Sequence, residues 1–468
     1  MLWTIARKEL LETLRDGRFQ VASGVILLLA VTSLGAGWKH HRDIESQHAE
    51  AQQSTRTQWL NQPKKNPHSA AHYGIYAFKP KSQLGIVDTG LDPYLGVSAW
   101  LEAHRQNEFR YRPAQDRTSL QRFGDLSAAV VLQVLLPLFV ILMGFATFAG
   151  EREAGTLRQV LSLGVSRERL LAGKALGVTA ALLMVLTPAV VLGVAALIMT
   201  AEHGAISGQG ARALLMVAGY LTYLTIFVGL ALGVSAWLRS SRLVLVTLLA
   251  FWMFQGLAMP RVAADIADRL HPLPSAVAFT EAMDRDLSDT REVEQRLAVK
   301  RAALLERYNV KDVQELPVGF SGISLQEGEE HGNQVFDRHY NALFDIYERQ
   351  NRAALLIGAV SPLVAVQSLS MALAGTDFSQ HRHFVTAAEE HRRMMQRVLN
   401  DDIVEHQKPG DVYLAGSELW SRVPAFEYVS PSAGWALRHQ IPAIVVLIGW
   451  LFLGASGALY AVRRATVA

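Results

Sequence analysis

Six apolar runs punctuate this chain, at residues 19–38, 126–149, 175–200, 213–238, 243–259 and 441–462. A helix needs about 20 such residues to cross the hydrocarbon core, so each run is long enough for one passage or close to it. The pattern predicts an all-α polytopic membrane protein with six transmembrane helices. Polar stretches lie between the runs. Two of them, 39–125 and 260–440, are large, while 1–18, 150–174, 201–212, 239–242 and 463–468 are short.

The basic residues give the runs an orientation. Arg7, Lys8, Arg15 and Arg18, those of segment 150–174, Arg239 and Arg242, and Arg463 and Arg464 fall on one side if every run crosses once. By the positive-inside rule that side is the cytoplasm, which also holds both termini. The two large insertions then lie outside and are expected to pack into one mainly helical extracytoplasmic domain with minor β-structure. A seventh apolar stretch, 353–374, carries Ser361, Pro362, Gln367, Ser368 and Ser370, and as a span it would put Arg463 and Arg464 outside. It is read as a helix packed on the outer face or dipping into it.

Within the polar stretches, Leu2, Ala6, Leu10 and Leu14 share one face of residues 1–18, which suits an amphipathic helix on the inner leaflet. The first insertion is rich in Gly, Pro and aromatics, and predicts short strands or turns before a helix over 98–107. In the second insertion, helical spacing aligns Phe336, Tyr340, Leu343, Phe344 and Tyr347, and separately Met395, Leu399 and Ile403, as the stripes of a core. Gly229 and Gly233 form a small-xxx-small pair for helix packing, Gly173 and Gly177 another, and Pro137 and Pro188 are candidate kinks.

Segment 150–174 reads as two short helices. Thr156 and Gln159 form a capping-box pattern ahead of Leu157, Val160 and Leu161; Gly164 ends that helix, and Ser166 caps the next, from Arg167 to Lys174. Spacing alone leaves open a plain cytoplasmic loop or a docking surface. The order of Glu151, Gly155, Thr156, Leu157, then Ser162, Val165, Ser166, Arg167, then Gly173 and Lys174 resembles the signature of ABC-2 type transporter permeases. The enlarged insertions resemble a subfamily of them. This resemblance implies that the segment, Glu153 included, is a coupling helix seated on a separate ATPase subunit, and that residues 1–18 are the family's interface helix. It further implies an exporter in a bacterial inner membrane, two permease copies or a homologous pair, and ATP and Mg in the partner ATPase.

Composition narrows the chemistry. Lys and Arg total 45 against 42 acids, a balance that argues against nucleic-acid binding. Cysteine is absent, which excludes disulfides, thiolate metal sites and thiol catalysis. No Asp, Glu, Lys, Arg or His lies inside the six runs, so the spans lack the charges of ion-driven transport. Nor does the chain carry a nucleotide motor: upstream of Gly173 and Lys174 stands Glu168 where a phosphate-binding loop needs Gly, and Ala175 replaces its Ser or Thr. No hydrolase motif is complete, with Gly319, Ser321 and Gly322 only a near miss, so no enzyme activity is expected of this chain.

All 15 histidines fall in segments assigned to the outside. His68 and His72 are spaced i, i+4, and His381 and His383 lie together, a pattern open to a metal or pH-sensing site; they are read as solvated surface residues, with no metal site assigned. The external domain would receive substrate or meet an envelope partner. A contrasting reading is a multi-pass sensor or scaffold whose external domain binds a ligand, without transport.

Overall fold

The computed structural model describes residues 1–107, 112, 127–200 and 206–465. Helix α1 (Leu2–Arg15) stops at the extended Asp16, whose carboxylate accepts the Arg18 N–H and so starts α2 (Gly17–Leu60). The 44 residues of α2 run well past the predicted span end at residue 38. No Gly or Pro interrupts residues 38–60, and the polar residues there extend the helix until Asn61 and Pro63.

Next come α3 (Pro67–Tyr73), capped by Asn66, and three antiparallel strands, β1 (Ile75–Phe78), β2 (Ser98–Glu102) and β3 (Arg105–Gln106), in the order β1-β2-β3. The helix predicted over 98–107 is therefore corrected to a strand and hairpin. Ala99 and Leu101 are buried while Trp100 sits on the opposite face against the Tyr76 ring, 4.5 Å away. β1 offers a partner in register, Ile75 opposite Leu101, and cross-strand pairing overrides local propensity.

Further along, the described residues form helices α4 (Ala128–Glu153), α5 (Thr156–Ser162), α6 (Arg167–Thr200), α7 (Ile206–Trp237) and α8 (Ser241–Leu270). They are followed by α9 (Ala276–Ser288), α10 (Arg291–Tyr308), α11 (Phe320–Ile357), α12 (Pro362–Ala374), α13 (Phe378–His406), α14 (Ser417–Arg422), α15 (Ala433–His439) and α16 (Ile441–Arg464). Among the described residues six helices are long and apolar enough to cross a membrane: α2, α4, α6, α7, α8 and α16. Two contain a π turn, Val131–Leu135 ahead of Pro137 and Phe254–Ala258 ahead of Pro260. A proline ring collides with the carbonyl four residues back, and the wider turn absorbs that collision. Pro188 stands inside α6, which continues on both sides of it.

Gly229 and Gly233 settle α7 against α16. A Cβ at these positions would stand 3.1 Å from the Gly454 carbonyl carbon and 3.1 Å from Ala458 Cα, so the pair serves packing within this chain. The apolar stretch 353–374 breaks at Ser361; its first part ends α11 and the rest forms α12, buried against α7 and α16. Thirteen residues make a helix about 20 Å long, short of the hydrocarbon thickness. Arg212 at the start of α7 holds the end of α12, donating to the carbonyls of Ala372 and Leu373 at 3.1 Å and of Pro431 at 2.6 Å.

Beyond the bundle, Trp59, Ile75 and Leu101 share a second core with Phe384, Met395, Leu399 and Trp420, so both insertions build one head. The aromatic stripe of α11 meets its neighbours ring to ring, Tyr340 on Phe279 of α9 and Phe344 and Tyr347 on Phe378 of α13.

Candidate functional site

At the end of the bundle away from the head, Gly155 takes a left-handed conformation, φ 73°, that ends α4 and opens α5 in one residue. This corrects the predicted capping box. Gly155 occupies the cap, Thr156 is already helical, and its hydroxyl turns back to the Glu151 carbonyl at 3.2 Å. Gly164, φ 77°, ends α5, and Ser166 Oγ accepts the Arg169 N–H to cap α6.

The inward side of this lever is bolted down. Glu151 Oε1 lies 2.8 Å from Lys8 Nζ and 3.0 Å from Lys174 Nζ, and Lys174 also reaches Glu9 Oε2 and the Thr147 carbonyl, each at 3.0 Å. Arg152 donates to the Leu238 and Ala236 carbonyls at 2.7 and 2.8 Å, satisfying the open end of α7. Glu153 accepts the Ser241 N–H and hydroxyl at 2.8 and 2.7 Å, which starts α8. Ser235 Oγ accepts the N–H groups of Phe148 and Ala149 and donates to the Phe145 carbonyl. Arg167 donates to the Arg463 carbonyl, and Arg463 to Glu168, joining α6 to α16. Gly173 and Gly177 let α1 cross α6: a Cβ at Gly177 would stand 2.5 Å from Glu9 Cβ.

The ten coupling positions therefore divide. Leu157 and Lys174 are buried, Glu151, Thr156, Val165 and Arg167 are half-buried, and Glu153, Gly155, Ser162 and Ser166 are exposed. Arg158, Leu163 and Arg169, which the sequence pattern passed over, and Gln159, read there only as part of a cap, are exposed as well, with Leu163 75 % accessible. An open cleft of about 450 Å³ separates the lever from α1 and α4, lined by Lys8, Glu9, Asp16, Glu151, Thr156 and Lys174.

Although the six runs carry no charge, the bundle buries charged groups at both ends, and the expectation of an uncharged bundle is corrected. Lys174 and Arg212 lie on helical extensions of the runs, and Asp88 enters from the first insertion. Asp88 accepts from Ser370 Oγ at 2.5 Å, from Gln133 Nε2 at 3.4 Å and from the Gly90 N–H at 3.0 Å; Tyr220 joins Ser370 at 2.7 Å and Gln133 at 2.9 Å. Burial pushes the Asp88 carboxyl up. In sequence, Asp88-Thr-Gly reads only as a turn.

Of the four singled-out histidines, His68 and His72 meet, Nε2 to Nε2 at 3.2 Å, and are joined by His104, which the spacing did not reveal. His381 and His383 stand apart. His381 is buried, not solvated, and burial pushes it down to about 3; His383 pairs with the Tyr428 hydroxyl at 3.0 Å.

Comparison with known proteins gives two matches. Residues 3–311, from α1 through the lever and five of the six long apolar helices, match the model of a family described as ABC-2 family transporter protein. Residues 276–429, most of the second half of the head, match a domain of unknown function (DUF3526). No curated protein matches the chain.

Proposed function

This chain belongs to the ABC-2 family of transporter proteins, as a permease subunit, and from that premise we propose that a separate ATPase drives it through residues 150–174. The lever and both termini lie in the cytoplasm of a bacterial inner membrane, and the head stands outside. Two permeases, identical or homologous, pair with two ATPases, which bind ATP and Mg. The direction of transport, outward, follows the family.

The observation that supports this reading is the division of the lever into a bolted side and a free side. Arg152, Glu153 and Ser235 fasten the end of α4 to α7 and α8, Lys174 and Glu151 fasten it to α1 and α6, and Arg167 ties α6 to α16. A push on α5 is thereby shared among five of the six long helices or their ends. The free side presents the exposed Leu163, Arg158 and Arg169, one apolar and two basic side chains. Glu151 and Lys174 act from within as positioning residues, and the docking contacts belong to the exposed set.

The test is affinity purification of the full chain in mild detergent, wild type beside Leu163→Asp and Arg158→Glu, with ATPase recovery and stimulated turnover measured. Wild type should retain an ABC ATPase, and the variants should lose it by at least about tenfold without a change in elution volume. Equal recovery and turnover in all three removes the docking role. A kinase, a protease or no companion at all in the wild-type sample favours a sensor or scaffold instead.

A further inference from the structure

We propose that His68, His72 and His104 bind one Zn²⁺ ion, and that the ion fastens α3 to the β2–β3 turn of the head. His68 and His72 lie one turn apart on α3, and His104 occupies the β2–β3 turn, 36 positions from His68. The Nε2 atoms of His72 and His104 each stand 3.2 Å from His68 Nε2, and the ligand atoms of all three lie within 4.8 Å of one another. Tetrahedral Zn²⁺ with nitrogen ligands holds them about 3.3 to 3.4 Å apart, so two edges of the tetrahedron are already formed. Rotation of the exposed His72 ring closes the third. As hydrogen bonds, the two contacts would compete for one proton or one lone pair on His68 Nε2; a cation at the centre takes a lone pair from each ring.

The support around the cluster is of the kind a metal ligand requires. Glu329 Oε1 lies 2.7 Å from His104 Nδ1, which places the proton there and leaves Nε2 free to ligate. Glu329 is buried, accepts the His104 backbone N–H as well, and faces the buried Arg392 at 3.5 Å. His104 holds this position at φ 62°, and only one other non-glycine among the described residues has a positive φ. A left-handed histidine is strained, and such strain collects at ligand sites.

All three ligands come from the first insertion, on α3 and the β2–β3 turn, and the groups that support them, Glu329 on α11 and Arg392 on α13, come from the second. In a chain without cysteine, imidazole is the side chain best suited to such a staple. Because His72 and His104 are exposed, the fourth position opens to water or an incoming ligand.

The experiment measures Zn²⁺ in the full detergent-purified chain, carrying a tag free of histidine, by elemental mass spectrometry and competition with a chelator. Wild type and His383→Ala should hold about one ion per chain with a Kd below about 1 μM, and His72→Ala should hold none. Glu329→Gln should weaken binding about 10–100-fold. Added Zn²⁺ should protect the head of the wild type, and not of His72→Ala, from proteolysis. Since His72 is exposed, its replacement leaves the core intact, and equal Zn²⁺ in wild type and His72→Ala overturns the site. Undiminished affinity in Glu329→Gln overturns the supporting role of Glu329, and equal proteolysis with and without Zn²⁺ overturns the staple.

Discussion

Ser370 and Gln133 both present donors to Asp88, and among the described residues no cation forms an ion pair with its carboxylate. Without a countercharge, burial favours the protonated form, which fits the upward shift of this group. Asp88→Asn keeps one oxygen for the Gly90 N–H and turns its NH2 toward the Ser370 hydroxyl, which can accept from it as from a protonated carboxyl, and thermal unfolding in detergent should barely change. Asp88→Ala strands those donors and should cost about 1–3 kcal/mol. An Asn variant as unstable as the Ala variant would show that the carboxylate is held ionised. Lys174 presents the opposite arrangement, a cation between Glu9 and Glu151, and removing one partner from such a buried cluster is costly because it leaves the others uncompensated.

Between elements, small residues decide how closely helices approach. α1 lies across α6 because Gly173 and Gly177 leave room for Ile5, Ala6 and Glu9. Gly177→Val would drive a methyl into Glu9 Cβ and the Ala6 carbonyl, and should lift α1 away at a cost of about 1–3 kcal/mol. Thermal unfolding in detergent would report this: the midpoint should fall in Gly177→Val and not in Gly193→Val, where an added Cβ meets nothing within 4 Å, and equal midpoints would show that α1 sits elsewhere. The membrane-crossing helices were legible in the sequence because apolar length alone marks them. Their ends were not, since the polar residues beyond Trp38 are good helix formers and carry no stop signal. The strand at Ser98–Glu102 was hidden because its pairing partner lies 20 or more positions earlier, at Ile75–Phe78. In the lever, Gly164 and Ser166 could be read as helix punctuation, while the left-handed Gly155 displaced Thr156 from its expected cap. Spacing showed two histidines of the cluster, and only the hairpin turn brings the third.

For the molecule as a whole, the absence of cysteine allows single reporters to be placed without background. Cysteines at the exposed positions Gln58, Glu306 and Asp401 should react with an impermeant maleimide added outside intact cells, and one at Gly164 should react only after lysis. Labelling of Gly164 from outside would invert the proposed orientation. The same layout gives α2 a mechanical part. It leaves α1 at one end of the bundle, crosses it, and continues without a break to Leu60, where Trp59 is sealed into the head. At 1.5 Å per residue it is an oar of about 66 Å, and a tilt of about 10° at mid-membrane would sweep its blade by roughly 8 Å. On the proposed reading, a stroke begun at the lever would reach the head magnified by the length of this oar.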